Sequence, residues 1–212
     1  QSITSNAIVG QPLGILFASK ALRQADGKLA LNDRGFPQLA PVQGIVGDPN
    51  PDWRGGAGIR GYLGKLNFNV LFETYQGADF AERTRFVLYA FGTYQDVGNE
   101  VTLTKDLVNS AGKVFPSGSV VRGNIKNFGS GDVLLDEGWY SSLGGGLGGS
   151  AINEFAVNDG SWTRLREVSL DYSFSGSKLK KYTKLSSIDV SISGRNLALW
   201  TDILGIDPEV NQ

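Results

Sequence analysis

The sequence has 212 residues, with 20 Lys and Arg against 21 Asp and Glu and a formal net charge of −1, so we expect no nucleic-acid partner. It contains no Cys, which excludes disulfides and thiolate sites, and no His, which removes the commonest metal ligand and general base. The 29 Gly favour turns and extended segments over helices, and no stretch of 18 apolar residues predicts a transmembrane helix.

The chain begins with a turn-rich segment, which is followed by a predicted β-hairpin. Residues 1–50 carry several turn signals and predict at most a few short strands. In residues 56–73, apolar side chains occupy odd positions before the Gly64-Lys65 turn and even positions after it. This switch keeps the apolar residues of both strands on one face, as an antiparallel hairpin requires.

Residues 77–161 show little sustained periodicity, and we expect them to form a long functional loop region. One short helix is predicted inside this region. Asp79 followed by Glu82 forms a capping-box pattern, and Gly92 is a typical terminator.

Three patterns in the loop region are considered as possible binding sites. LGGGLGGS contains G-x-G-x-x-G at Gly144, Gly146 and Gly149, but without a surrounding βαβ unit it predicts a flexible loop and no nucleotide site. Asp132, Asp136 and Glu137 predict solvated loop charges. A calcium ion in this loop stays open as an alternative, and we expect no other metal and no cofactor.

The adjacent aromatic pair Trp139-Tyr140 is the candidate ligand contact of the loop region. Amphipathic rings of this kind stack on sugars or peptides when they are exposed. Packing of both rings within the loop is the alternative.

A second hairpin is predicted from residues 162–174 and 185–197, in which apolar and polar residues alternate. The linker contains Lys178, Lys180, Lys181 and Lys184, which predict a solvated turn. Arg164 and Arg166 interrupt the apolar face at one end of its strand. We expect them to reach lipid headgroups or water, with contact to a ligand as the alternative. The apolar positions of the two strands are Val168, Leu170, Tyr172, Phe174, Ile188, Val190 and Ile192.

The apolar faces of the two hairpins predict either a sandwich core or a surface in lipid. Trp53, Trp162 and Trp200 lie near strand ends, where an interfacial girdle of a membrane barrel would place them. Two connections are short and the one between the hairpins is very long. Short turns at one end and long loops at the other are typical of outer-membrane barrels.

Four stretches spanning Val9 to Asn211 resemble SusC/RagA-type TonB-dependent outer-membrane transporters, in family order. They are VGQPLG, GDPNPDWRGGAGIRGYLGKLNFNVLFETYQGAD, WTRLREVSLDYSF and SGRNLALWTDILGIDPEVN. The Gly/Ser-rich residues 143–150 depart from the family. The residues that carry the family motifs are Asp48, Pro49, Asn50, Pro51, Asp52, Trp53, Arg164, Leu165, Arg166, Gly194, Arg195, Asn196, Leu197, Trp200, Gly205, Asp207, Pro208 and Glu209.

The resemblance implies an all-β fold in which antiparallel strands form part of a large transmembrane β-barrel. Residues 1–212 would be a late portion of that barrel, without its plug domain and final strands, and the absence of Met likewise predicts a processed or trimmed chain. Residues 77–161 would be extracellular, with one short helix, and the two short turns would be periplasmic. The apolar positions of the second hairpin would face lipid, while Ser169, Asp171, Asp189 and Ser191 would face the lumen or plug.

The function implied by the resemblance is active import of oligosaccharides or oligopeptides across the bacterial outer membrane. TonB would drive the transport through the plug, and a SusD-like surface lipoprotein would act as a lid. No chemistry on the substrate is implied, so we expect no enzyme. Two alternatives are a structural or scaffolding barrel subunit of a larger outer-membrane assembly and a soluble β-sandwich binding module.

Overall fold

The computed structural model describes residues 2–145 and 151–209. Its regular elements are mostly antiparallel strands, which confirms the predicted all-β class. In chain order the strands are β1 (Thr4–Asn6), β2 (Ile15–Ala18), β3 (Gly44–Gly47), β4 (Trp53–Leu63), β5 (Leu66–Gln76), β6 (Asp79–Ala81), β7 (Glu100–Thr102), β8 (Leu107–Val108), β9 (Val114–Phe115), β10 (Val120–Arg122), β11 (Asn124–Asn127), β12 (Asp132–Leu135), β13 (Val157–Asp159), β14 (Trp162–Ser175) and β15 (Ser187–Thr201).

Helices are short but more numerous than the single helix predicted. The α-helices are α1 (Arg83–Ala90), α2 (Gln95–Gly98), α3 (Glu137–Tyr140) and α4 (Ser177–Thr183), and a 3₁₀ helix spans Asn153–Ala156. Among the described residues, none of these helices is long and apolar enough to cross a membrane.

The chain divides into two compact units. We call Asn50–Ala78 with Asp159–Gln212 the sheet unit, and Gln1–Pro49 with Asp79–Asn158 the core unit. Each unit is therefore built from two separate stretches of sequence.

The sheet unit contains one antiparallel sheet in the order β15-β14-β5-β4. The two predicted hairpins are both present, and β5 joins β14 over ten paired positions from Trp162↔Tyr75 to Tyr172↔Leu66. Within the described residues, β4 and β15 are the edge strands.

Cross-strand pairing aligns the apolar residues of the four strands on one face, which we call the apolar face. One row runs from Ile59 through Val70 and Val168 to Gly194, and the next contains Phe68, Leu170 and Ile192. Ile59 is 68% exposed and Ile192 is 71% exposed. Leu170, Tyr172, Phe174 and Val190 are also exposed, whereas Val168 and Ile188 are half-buried. Their contact with lipid stays a prediction.

The other face of the same sheet, the polar face, carries the residues that alternate with these rows. Asn69 pairs with Ser169, which pairs with Ser193 on β15. Asn69 Nδ2 also donates to Glu167 Oε1 at 3.1 Å. The strict period of two that the sequence predicts therefore extends across all four strands.

A β-bulge changes this alternation near one end of β14. Leu165 pairs with Phe72 and Glu167 pairs with Leu71, so Arg166 has no partner on β5. The extra residue shifts the even-numbered positions before the bulge to the polar face. The prediction that Arg164 and Arg166 interrupt the apolar face is therefore wrong.

The basic linker between β14 and β15 forms helix α4, where the sequence predicted a solvated turn. Lys184 follows the helix in the left-handed region, with φ of 62°. The four lysines of the linker are exposed, as predicted for a solvated connection.

The core unit has a buried interior, although most of its strands have only two to four residues. Phe36, Leu134 and Ile152 are fully buried. The two stretches of the unit are joined at Ser19, whose hydroxyl donates to the Ala151 carbonyl at 2.7 Å and accepts from the Asn153 N–H at 3.0 Å. The predicted loop region therefore contains packed structure, and its extracellular position stays a prediction.

The predicted capping box is wrong. Asp79 lies in β6, and its Oδ2 accepts the Asp48 N–H at 2.8 Å. Glu82 occupies the N-cap position of α1 without a side-chain capping bond, and its Oε2 lies 2.7 Å from Arg85 Nη1. The Asp79 carboxylate therefore bonds a residue distant in sequence and not the first turn of α1.

Candidate functional site

The polar face of the sheet unit carries an aromatic pair at one end of β14. Tyr75 stacks on Trp162, with ring centroids 5.8 Å apart and ring planes 8° apart. Arg164 and Arg166 each place Cζ 5.5 Å from the Trp162 ring. The indole therefore contacts an aromatic ring and two guanidinium groups, both of which its π-system attracts.

The segment after β15 brings two carboxylates to these arginines. Arg164 Nη2 donates to Asp207 Oδ1 at 2.5 Å. Arg166 donates from both Nη atoms to the two oxygens of Glu209, with Nη1 at 2.9 Å from Oε2. A bidentate pair of this kind holds a carboxylate in a defined orientation. The two pairs fix residues 202–209 to the polar face.

Arg166 has two further partners, one on β5 and one on β15. Its Nε donates to Glu73 Oε2 at 2.6 Å, and its Nη1 donates to Asn196 Oδ1 at 2.9 Å. Asn196 has φ of 52°, in the left-handed region that Asn tolerates better than most residues. We call Glu73, Arg164, Arg166, Asp207 and Glu209 the ionic cluster.

Burial and charge differ among the members of the ionic cluster. Arg164 is 5% exposed, whereas the side chains of Asp207 and Glu209 are 36% and 38% exposed. The hydrogen bond from Arg166 lowers the pKa of Glu209. Burial alone would raise the pKa of Asp207, but the bond from Arg164 and the nearby positive charges outweigh it, so its pKa is also lowered. Both carboxylates are held ionised beside the arginines.

A groove of about 430 Å³ lies beside the ionic cluster on the polar face. Its walls include Arg54, Glu73, Tyr75, Trp162 and Glu209. These walls present donors, acceptors and charges of both signs, which suits a polar solute held by hydrogen bonds. Trp162 Nε1 and Arg164 Nε are buried without a hydrogen-bond partner in the part of the chain that the structure describes.

The structure brings together the family-motif residues Arg164, Arg166, Asn196, Asp207 and Glu209. Glu73 and Tyr75 complete the site from β5 and were not predicted as site residues. The sequence signal for Glu73 and Tyr75 is their odd number, since the odd-numbered residues of β5 lie on the polar face.

Other family-motif residues near β15 shape the bulge and the following segment. Leu165 is half-buried, Arg195 pairs with Glu167 at 3.5 Å, and Pro208 is fully buried. A side chain added at Gly194 would place Cβ 2.7 Å from Leu197 Cδ2, so the exposed Leu197 side chain would have to shift. Gly205 has φ of 77°, which also favours glycine.

The motif residues before β4 lie outside the ionic cluster. The Asp48 N–H bonds Asp79, and the Asp52 N–H donates to the Gln76 carbonyl at 2.9 Å. Trp53 begins β4 and is 56% exposed. Trp200 is 53% exposed near the end of β15. Pro49, Asn50 and Pro51 form the connection between β3 and β4.

The ligand-contact candidates Trp139 and Tyr140 are buried in the core unit, at 3% and 6% exposure. Trp139 packs against Phe36, with ring centroids 5.3 Å apart, and the Tyr140 hydroxyl accepts from Asn124 Nδ2 at 2.6 Å. The structure therefore shows packing of both rings, the alternative to an exposed stacking platform, because helix α3 turns them inward.

The loop carboxylates have separate partners. Asp132 pairs with Lys105 at 2.7 Å, and Asp136 caps α3 by accepting the Trp139 N–H at 3.1 Å. Among residues 2–145 and 151–209, no group of three or more His, Cys, Asp or Glu side chains is placed to hold a metal. Of the glycine pattern, Gly144 is buried, while Gly146 and Gly149 lie outside the described residues.

No protein-family model and no curated protein matches this chain. Its fold is similar to part of a chain of the RagAB peptide importer in the closed-closed state, at 12% identity and a TM-score of 0.52, over 97% of this chain. The open-open state gives 13% identity and a TM-score of 0.54 over 94% of this chain. A further structure, of the RagAB peptide transporter, is similar at 13% identity and a TM-score of 0.53 over 92% of this chain. This chain covers 22%, 20% and 20% of those chains, about a fifth of their length.

Proposed function

We propose that this chain forms part of the barrel wall of a TonB-dependent importer in the bacterial outer membrane. The observation that carries the proposal is the apolar face, which runs across four paired strands and whose residues are exposed or half-buried. The opposite face of the same strands is polar and holds the ionic cluster. Alternation between a lipid-facing and a lumen-facing side is what a membrane barrel requires.

The strand lengths suit this assignment. β4 and β5 have 11 residues each, β14 has 14 and β15 has 15. A tilted transmembrane strand needs about 9–11 residues to cross the hydrocarbon layer. Exposed aromatic residues lie near both ends of the apolar face, with Trp53 and Trp200 at one end and Tyr172 and Phe174 at the other. Aromatic belts occupy these positions at the two membrane interfaces.

The transported solute in this proposal is an oligopeptide or an oligosaccharide. Four motifs resemble SusC/RagA-type transporters, and the fold is similar to part of a protein described as a peptide importer. TonB would supply energy through a plug, and a SusD-like surface lipoprotein would cover the extracellular side. The protein would act without a cofactor and would not be an enzyme. The ionic cluster would hold the segment after β15 against the lumen wall.

Uptake by living cells tests the proposal. The wild-type strain, a strain that lacks the gene and a strain that lacks functional TonB would each be supplied with fluorescently labelled oligopeptides or oligosaccharides. We expect TonB-dependent uptake of one class that disappears with the gene and returns with the wild-type protein. Uptake unaffected by deletion of the gene would contradict import. A correctly inserted barrel with no such uptake would favour the scaffolding alternative.

A further inference from the structure

The core unit contains a cavity of about 290 Å³, which we call the aromatic cavity. Its walls include the rings of Tyr89, Phe128, Trp139 and Phe155 and the cations Arg85 and Lys126. The volume lies just below the range of about 300–1,000 Å³ that is typical of small-molecule sites. It therefore suits one amino-acid residue or one sugar ring better than a whole oligomer.

The aromatic rings form continuous apolar walls. Trp139 lies 5.5 Å from Phe128 and 6.4 Å from Phe155, measured between ring centroids, and the Trp139–Phe155 planes are tilted by 43°. Tyr89 packs on Tyr140, with ring centroids 4.8 Å apart. Because these rings pack against one another, the cavity is held by the core itself.

The two cations of the cavity are neutralised to different degrees. Arg85 Nη1 lies 2.7 Å from Glu82 Oε2, and its Nη2 donates to the Phe155 carbonyl at 3.0 Å. Its Nε is buried and has no hydrogen-bond partner within the described ranges. Lys126 is exposed on β11, and it forms no ion pair among the described residues.

These charges decide which class of ligand fits. Aromatic boxes can attract cations, but Lys126, whose charge no ion pair among the described residues offsets, would repel a cation from this one. Among the described residues that line the cavity, none carries a carboxylate. An anion beside Lys126 would form a charge-assisted hydrogen bond, while an attached apolar group would meet the rings.

We propose that the aromatic cavity binds a carboxylate carried next to an apolar group, with Lys126 pairing with the carboxylate. Two solutes share this chemistry: the C-terminal residue of a peptide with an apolar side chain, and a uronic acid ring with its apolar sugar face. That such a ligand is an import substrate rests on the proposed function, but the binding itself does not.

Calorimetric titration of the intact natural protein in detergent tests the site. The probes are N-acetyl-L-phenylalanine, its primary amide and glucuronate. We expect one of the two acids to bind. If that acid is N-acetyl-L-phenylalanine, it should bind at least about tenfold more tightly than its amide. Binding of glucuronate without acetylphenylalanine would assign the site to uronic acids.

The matched variants are Lys126→Gln and Lys28→Gln, since both lysines are exposed and lie in the core unit. Lys126→Gln should weaken binding of the acid about tenfold and remove the preference over the amide, and Lys28→Gln should change neither. Binding of neither acid, equal binding of acid and amide, or an unchanged preference in Lys126→Gln would overturn the proposal. Acid binding without uptake in cells would refute the proposed import and leave the site in place.

Discussion

The sheet unit and the core unit place their apolar residues in opposite environments. In the core unit, Phe36 and Ile152 are both 0% exposed, although the strands around them are short. In the sheet unit, long regular strands leave Ile59 and Ile192 about 70% exposed. Water would disfavour a continuous apolar face of this extent. The sheet unit thus leaves an apolar face uncovered among the described residues, whereas the core unit buries its largest apolar side chains within itself. Under the proposed function, lipid covers the exposed face.

The largest expected effect comes from a cavity in the core unit. Phe36→Ala removes a fully buried ring that packs against Trp139, and we expect it to destabilise the core unit by about 3–5 kcal/mol. Hydrogen exchange of the core-unit amides in the natural protein measures the loss. Val42→Ala, at an exposed position of the same unit, should change the exchange little. Equal effects of the two variants would contradict a packed core.

A charge placed on the apolar face tests the environment of the sheet unit. Val190→Lys should destabilise the protein in a lipid bilayer by about 2–4 kcal/mol if the residue lies near the midplane. Ser191→Lys places the same charge on the polar face and should cost much less. Denaturant titration in lipid vesicles compares the two. A tolerated Val190→Lys would show that this face does not contact lipid.

The ionic cluster gives a smaller effect. Arg166→Gln removes a charged partner of both Glu73 and Glu209, and we expect a loss of about 1–2 kcal/mol, because the carboxylates keep partial access to water. The variant should increase hydrogen exchange of residues 202–209 without changing the core unit. Arg60→Gln on the same strand face is the control, since Arg60 is exposed and lies outside the cluster. Unchanged exchange in Arg166→Gln would contradict a fixed segment.

Acid should release the same segment and give the smallest effect. The pKa values of Asp207 and Glu209 are lowered in the folded protein. Their contribution is therefore complete above the unfolded pKa values and is lost as pH falls through the folded ones, below about pH 4. We expect the Trp fluorescence of the wild type and Glu209→Gln to differ at neutral pH and to converge in acid. A constant difference down to pH 2 would contradict this linkage.

Both hairpins were predictable from local alternation, because apolar and polar residues alternate with a period of two in residues 56–73 and 162–174. The pairing of β5 with β14 was not predictable, since about 90 residues separate Phe72 from Leu165 and no local pattern joins them. The faces of Arg164 and Arg166 were assigned wrongly because one bulge residue reverses the alternation.

The core unit was the least predictable part of the fold and of the candidate site. Its strands are too short to show a period, and their partners are distant, as for Asp79 with Asp48 and Ser19 with Ala151. Trp139 and Tyr140 were named as ligand-contact candidates because they lie in the predicted loop region, and packing within the loop was left open. Their burial depends on α1, β11 and β12, which the local sequence does not specify.

The most direct test of the account measures the surroundings of the apolar face residue by residue. Residues 1–212 contain no Cys. Single cysteines at positions 189 to 192 can therefore each carry a spin label in the natural protein reconstituted in lipid, once any Cys elsewhere in that protein has been replaced. Accessibility to oxygen, which concentrates in lipid, and to a water-soluble nickel complex is then compared. We predict high oxygen accessibility at Val190 and Ile192 and low values at Asp189 and Ser191. Equal accessibility of all four positions to the nickel complex would contradict a lipid-facing sheet.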